Sequence, residues 1–169
     1  MVDAETAPPS QVRIGGLDGA GLLAELRRGG IALNERALEL LASPVFQTVV
    51  PVRTISLGIA DVAGLGFAQG ATWPELLAAA ARRSWQPAPL ALAPWLRLQW
   101  PGQAEVVAAP TRHRAPPGSL TVVSPEPADP TQPRGFYLRR ADGQVWLRGY
   151  QSDDLHVWDA SDRLAFAIG

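Results

Sequence analysis

The run Gly135-Phe-Tyr-Leu-Arg-Arg-Ala-Asp-Gly-Gln-Val-Trp-Leu-Arg-Gly-Tyr150 sets Asp142-Gly143 between two alternating segments, and this pattern limits the possible folds more tightly than any other stretch. Aspartate followed by glycine supplies the positive φ values that a two-residue type I′ turn needs, and the twist of that turn suits the strands on either side. The segment therefore predicts a β-hairpin, and its register follows by counting outward from the turn. Ala141 opposes Gln144, Arg140 opposes Val145, Arg139 opposes Trp146, Leu138 opposes Leu147, Tyr137 opposes Arg148 and Phe136 opposes Gly149. One face then carries Phe136, Leu138, Val145 and Leu147, an apolar set that must be buried. The other carries Tyr137, Arg139, Trp146, Arg148 and Tyr150, where guanidinium groups oppose aromatic rings across the strands. The hairpin is expected at the centre of an antiparallel sheet covered by the helices that precede it.

Upstream, Asp18 to Arg28 has helical spacing, with Leu22, Leu23 and Leu26 on one side and Arg27-Arg28 where positive charge suits the helix dipole. Gly29-Gly30 stops it. Asn34 then caps a second helix that Ser43-Pro44 ends, giving a helical hairpin. A DNA-reading role for that second helix is discounted, because Glu35 and Glu39 outweigh Arg36 and would repel phosphates. Residues 46–62 alternate in part and predict one long or two short strands, with Pro51 at an edge or bulge. Gly64 to Gly70 lacks the spacing of a dinucleotide-binding loop and predicts a plain loop.

Thr72-Trp-Pro-Glu75 is a capping box opening a helix to Arg83, with Trp73, Leu76, Leu77, Ala80 and Ala81 on the buried stripe. Leu96-Arg-Leu-Gln-Trp100 alternates as a strand, 108–118 is a loop, 119–124 is a strand, and the prolines between Pro125 and Pro133 make another loop. A short strand over 155–158 and a last strand over 163–168 close the chain. Helices first and strands last predict an α+β fold: N-terminal helices packed on a mainly antiparallel C-terminal sheet. The expected organisation is a disordered leader over 1–12 and one domain over 13–169.

Composition removes several chemistries. All fifteen basic residues other than His are Arg, so there is no Lys for a phosphate loop, a Schiff base or a lysine general base. With no Cys there are no disulfides, thiolate nucleophiles or cysteine-bound metals, a composition compatible with the expected cytoplasmic location. A net charge of −1 with both signs intermixed argues against nucleic acid as a partner. The first ten residues lack the apolar core of a signal peptide, and no apolar run is long enough to span a bilayer.

Two polar groupings remain. Asp153, Asp154, His156, Asp159 and Asp162 offer oxygen and imidazole donors for a divalent cation, although alternation puts Asp154 and His156 on one face and Asp153 on the other, and Asp159 and Asp162 are also ordinary turn residues. The hairpin face of Tyr137, Arg139, Trp146, Arg148 and Tyr150 suits an anion or planar group, a partner protein, or nothing beyond solvated cross-strand pairing. Nucleophilic catalysis lacks a G-x-S-x-G elbow, and His156 is the one credible base, with Ser124 or Ser152 as its conceivable nucleophile.

Arg134 to Tyr150 with His156-Val-Trp158, preceded by Pro117-Gly-Ser119, resembles an uncharacterised family of small bacterial proteins, some of which carry a helicase label. The resemblance covers the C-terminal third best and implies a bacterial source. A helicase motor would need a phosphate-loop lysine and a longer chain, so the label implies no such activity here. The residues point first to a non-catalytic module, without cofactor, that binds another protein or a second copy of itself through the hairpin. A small metal-dependent enzyme, with Asp154 and His156 as ligands and Arg148 steadying an anionic substrate, is the alternative. Weak nucleic-acid binding is third.

Overall fold

The computed structural model describes residues 5–106 and 115–169, so the predicted loop over 108–118, with His113, falls largely outside the described residues. Strands and helices interleave from the start. Gln11–Ile14 (β1), Gly19–Arg28 (α1), Ala32–Leu33 (β2), Glu35–Leu41 (α2) and Arg53–Asp61 (β3) come first. Ala71–Thr72 (β4), Trp73–Ala81 (α3), Trp85–Gln86 (β5) and Leu92–Gln99 (α4) follow. Leu120–Val122 (β6), Gly135–Ala141 (β7), Gln144–Tyr150 (β8), Val157–Trp158 (β9) and Arg163–Ile168 (β10) complete the order.

The hairpin forms in the predicted register, from Ala141↔Gln144 through Phe136↔Gly149. Asp142 and Gly143 take φ values of 54° and 72°, the left-handed pair that sets this register. The fold class holds as a mixture of helices and strands, with two corrections. The main sheet, ordered β1-β3-β10-β6-β7-β8-β2, is mixed rather than mainly antiparallel, because β10 runs parallel to β6 and β2 runs parallel to β8. The helices are distributed between strands rather than gathered before them, and the hairpin lies toward one end of the sheet.

Other expectations shift locally. Gln11 and Val12, assigned to the leader, open β1 and pair with Ser56 and Ile55. Leu96 to Trp100 belongs to α4 and its C-cap rather than to a strand. The alternation there was a coincidence of composition: Leu92, Leu96 and Trp100, four residues apart, are all buried on one helical stripe, and Pro94 is tolerated in the first turn. The link between α1 and α2 is a strand, β2, so the pair is not a plain helical hairpin.

Alternation along β10 shows how the layers are arranged. Ala165 and Ala167 join one core cluster with Leu22, Leu40, Leu96, Phe136, Leu138 and Leu147, which α1, α2 and α4 bring to one face of the sheet. Leu164 and Phe166 point the other way and join Trp73, Leu76, Val123 and Trp158 under α3. Phe136, Leu138 and Leu147 are fully excluded from water, each contributing about 1.5–3 kcal/mol.

Two devices finish this arrangement. The free edge of β1 is covered by Gln99, whose Nε2 donates to the Arg13 carbonyl at 2.7 Å while its Oε1 accepts from the Arg13 N–H at 3.1 Å. Beneath the hairpin, Arg97 is wholly buried and donates to the carbonyls of Trp100 and Trp146 and to Gln103 Oε1. Burial, aided by the nearby Arg140, pushes the Arg97 guanidinium down to about 10. No helix among the described residues is long and apolar enough to cross a membrane.

Candidate binding groove

The second face of the sheet is only partly covered. The α3 cluster takes in Val123, Leu164 and Phe166, and beyond them the outer face of β7–β8 forms the floor of a groove of about 920 Å³. Register builds that floor: Thr121, Tyr137 and Arg148 form one row across β6, β7 and β8. Tyr150 and Arg139 flank the row, since residues two apart on a strand share a face.

One wall comes from the start of α2, which Asn34 fastens to the edge of β8. Its Oδ1 accepts from the Gly149 N–H at 2.8 Å and from the Ala37 N–H at 2.9 Å, and its Nδ2 donates to the Gly149 carbonyl at 3.0 Å. The same side chain therefore caps the helix and continues the ladder where β2 has ended. Gly149 permits the approach, because a Cβ there would lie 2.6 Å from the Arg36 carbonyl carbon. Arg36 is carried to the rim. The opposite wall is the 151–158 segment, where Asp153 Oδ1 accepts the N–H groups of Leu155 and His156, both at 2.9 Å, and folds the turn.

Rings run along the groove, the first two pairs edge to face and the last tilted. His156 meets Trp158 with centroids 5.2 Å apart, Trp158 meets Tyr150 at 5.9 Å, and Tyr150 meets Tyr137 at 6.4 Å. Burial raises both tyrosines above their ordinary range, so both hydroxyls stay protonated. Arg148 stands directly opposite Tyr137 across the strands, and its guanidinium lies 4.8 Å from the centre of the Trp146 ring. Among the described residues, none of Arg36, Arg139 and Arg148 is ion-paired with a carboxylate, whereas Arg134 is held by Asp154 at 2.9 Å. Among the described residues, Asp153 is the one carboxylate in the lining. The Nε atoms of Arg139 and Arg148 are buried without an acceptor, and so is Trp158 Nε1.

Of the five hairpin residues singled out by sequence, Tyr137, Arg139, Arg148 and Tyr150 line the groove, while Trp146 lies beside it. The two proposed metal ligands are placed apart. His156 lines the groove, whereas Asp154 turns to Arg134 and lines a separate cavity of about 240 Å³. Among the described residues no three His, Asp or Glu side chains gather as a metal would require. Ser152 bonds to the Asp153 carbonyl and Ser124 Oγ is buried without a partner, so neither is hydrogen-bonded to His156. Arg36, Thr121 and Trp158 were not anticipated in the lining. They come from three separate elements, and only the short alternation His156-Val-Trp158 carried any local signal.

No family model matches the chain, and no curated protein and no solved structure matches it. Fold and groove together define its class: an α+β chain with a cationic, ring-lined groove on the half-covered face of its sheet.

Proposed function

We propose that this chain is a non-catalytic binding module that takes an anionic segment of a partner protein into the hairpin groove. One observation carries the reading: Arg36, Arg139 and Arg148 line a single concavity without ion-pairing carboxylates among the described residues. Guanidinium groups left without acceptors are costly unless water or a ligand supplies them, and Arg and aromatic residues are the side chains that dominate protein interfaces. The rim favours a protein over a small molecule. Leu155, at the mouth of the groove, is 85% exposed, giving a partner apolar contact there.

Calorimetric titration with a short Glu- and Asp-rich peptide containing one aromatic residue, against its Gln and Asn counterpart, tests this. The acidic peptide should bind, weaken with salt, and lose about tenfold or more in affinity to the Arg139→Ala, Arg148→Ala double variant. Equal binding of both peptides, or no binding to the unaltered chain, removes the reading.

A further inference from the structure

We infer that the anionic group this groove accepts is a phosphoryl group carried on a side chain of the partner, an inference that rests on the anionic-segment reading above. The count of donors leads there. Each guanidinium offers five N–H donors in a flat fork, and those of Arg36, Arg139 and Arg148 meet no carboxylate acceptor among the described residues. Tyr137 adds another. Its side chain lines the groove opposite Arg148, and burial keeps the hydroxyl proton in place as a donor.

A carboxylate brings two oxygens and one negative charge. A phosphoryl group brings three acceptor oxygens and a charge of about −1.5 to −2 near neutrality. The floor is built for the larger demand: Tyr137 and Arg148 are directly opposed in register, Arg139 is two residues from Tyr137 on the same face, and Arg36 approaches from the rim. Asp153 turns its Oδ1 to the backbone N–H groups of Leu155 and His156.

One short peptide made with serine, phosphoserine, phosphotyrosine or glutamate at a single position tests the inference by calorimetry, with inorganic phosphate as a separate titrant. At least one phosphorylated form should bind about tenfold or more tightly than the glutamate form. That advantage should shrink in Arg148→Gln and in Arg36→Gln, the latter an exposed position whose exchange leaves the core alone. Glutamate binding as tightly as both phosphorylated forms overturns the inference and leaves the anionic-segment reading intact. Inorganic phosphate binding as tightly as the phosphopeptides overturns the assignment to a protein side chain. Failure of all four peptides overturns both.

Discussion

Asn34 and Gly149 are joined by a reciprocal pair of hydrogen bonds, 2.8 Å from the Gly149 N–H and 3.0 Å to its carbonyl, which lets one side chain stand in for a strand. The same oxygen caps α2 through Ala37. Replacement by Ala removes a cap worth about 0.5–2 kcal/mol and leaves a strand edge unpaired. Asn34→Ala should lower stability by about 2–4 kcal/mol, and Asn34→Asp, which keeps the acceptor and loses the donor, by less. Urea unfolding of both variants checks the order.

Gly149→Ala should be comparably harmful for a different reason. The new methyl would approach the Arg36 carbonyl carbon at 2.6 Å and the Ala37 nitrogen at 2.8 Å, and these are backbone atoms that cannot rotate away. Overpacking of this type costs about 1–3 kcal/mol. Because α2 must back off, the variant should also lose affinity for any ligand that Arg36 contacts, seen as a joint fall in melting temperature and binding.

Tyr150 has a buried hydroxyl with no partner, and burial raises its pKa above the ordinary 10.0. A tyrosine raised in the fold contributes stability that is present below the unfolded value and lost as pH climbs above it. Unfolding measured from about pH 8 to about pH 11 should therefore show a decline beginning near 10, up to about 1.4 kcal/mol per pH unit from this group. Tyr137 adds to the decline. Arg97 opposes it, since it sheds its proton near 10 in the fold and near 12.5 when unfolded. Tyr150→Phe should match or exceed the parent stability at neutral pH, by up to about 1 kcal/mol, and show a shallower alkaline decline. An unchanged alkaline limb would contradict this.

Gln99→Ala should expose the edge of β1. Losing the two bonds to Arg13 costs about 1–2 kcal/mol and frees an N–H and a carbonyl facing outward. Faster hydrogen exchange at the Arg13 amide and increased light scattering on concentration are the expected signs.

How much of this was legible in the sequence depended on how local the cause was. The Asp142-Gly143 turn fixes both faces of β7–β8 by itself, so the register and the apolar set Phe136, Leu138 and Leu147 could be read directly. Caps at Asn34 and Thr72 were equally plain, the latter closed by Glu75 accepting from the Thr72 N–H at 2.7 Å. The segment around Leu96 misled because Leu, Arg, Leu, Gln and Trp satisfy a period of two as well as helical spacing, and only packing against β1 and the hairpin decides between them. Parallel pairing of β10 with β6 brings together residues some forty positions apart, and nothing in either short strand announces it. For the groove, the sequence supplied the floor and missed the walls. That Arg36 turns over the edge of β8 is a consequence of Gly149 and Asn34 meeting across more than a hundred residues.

Tyr150 and Trp158 belong to the groove lining and to the hydrophobic cluster under α3 at the same time. The roof of the interior is thus the bottom of the recognition surface, and neither can be recarved without opening the other. A change of ligand preference would have to begin at an exposed side chain such as Leu155, which can be exchanged without touching the interior, and would reach the floor last.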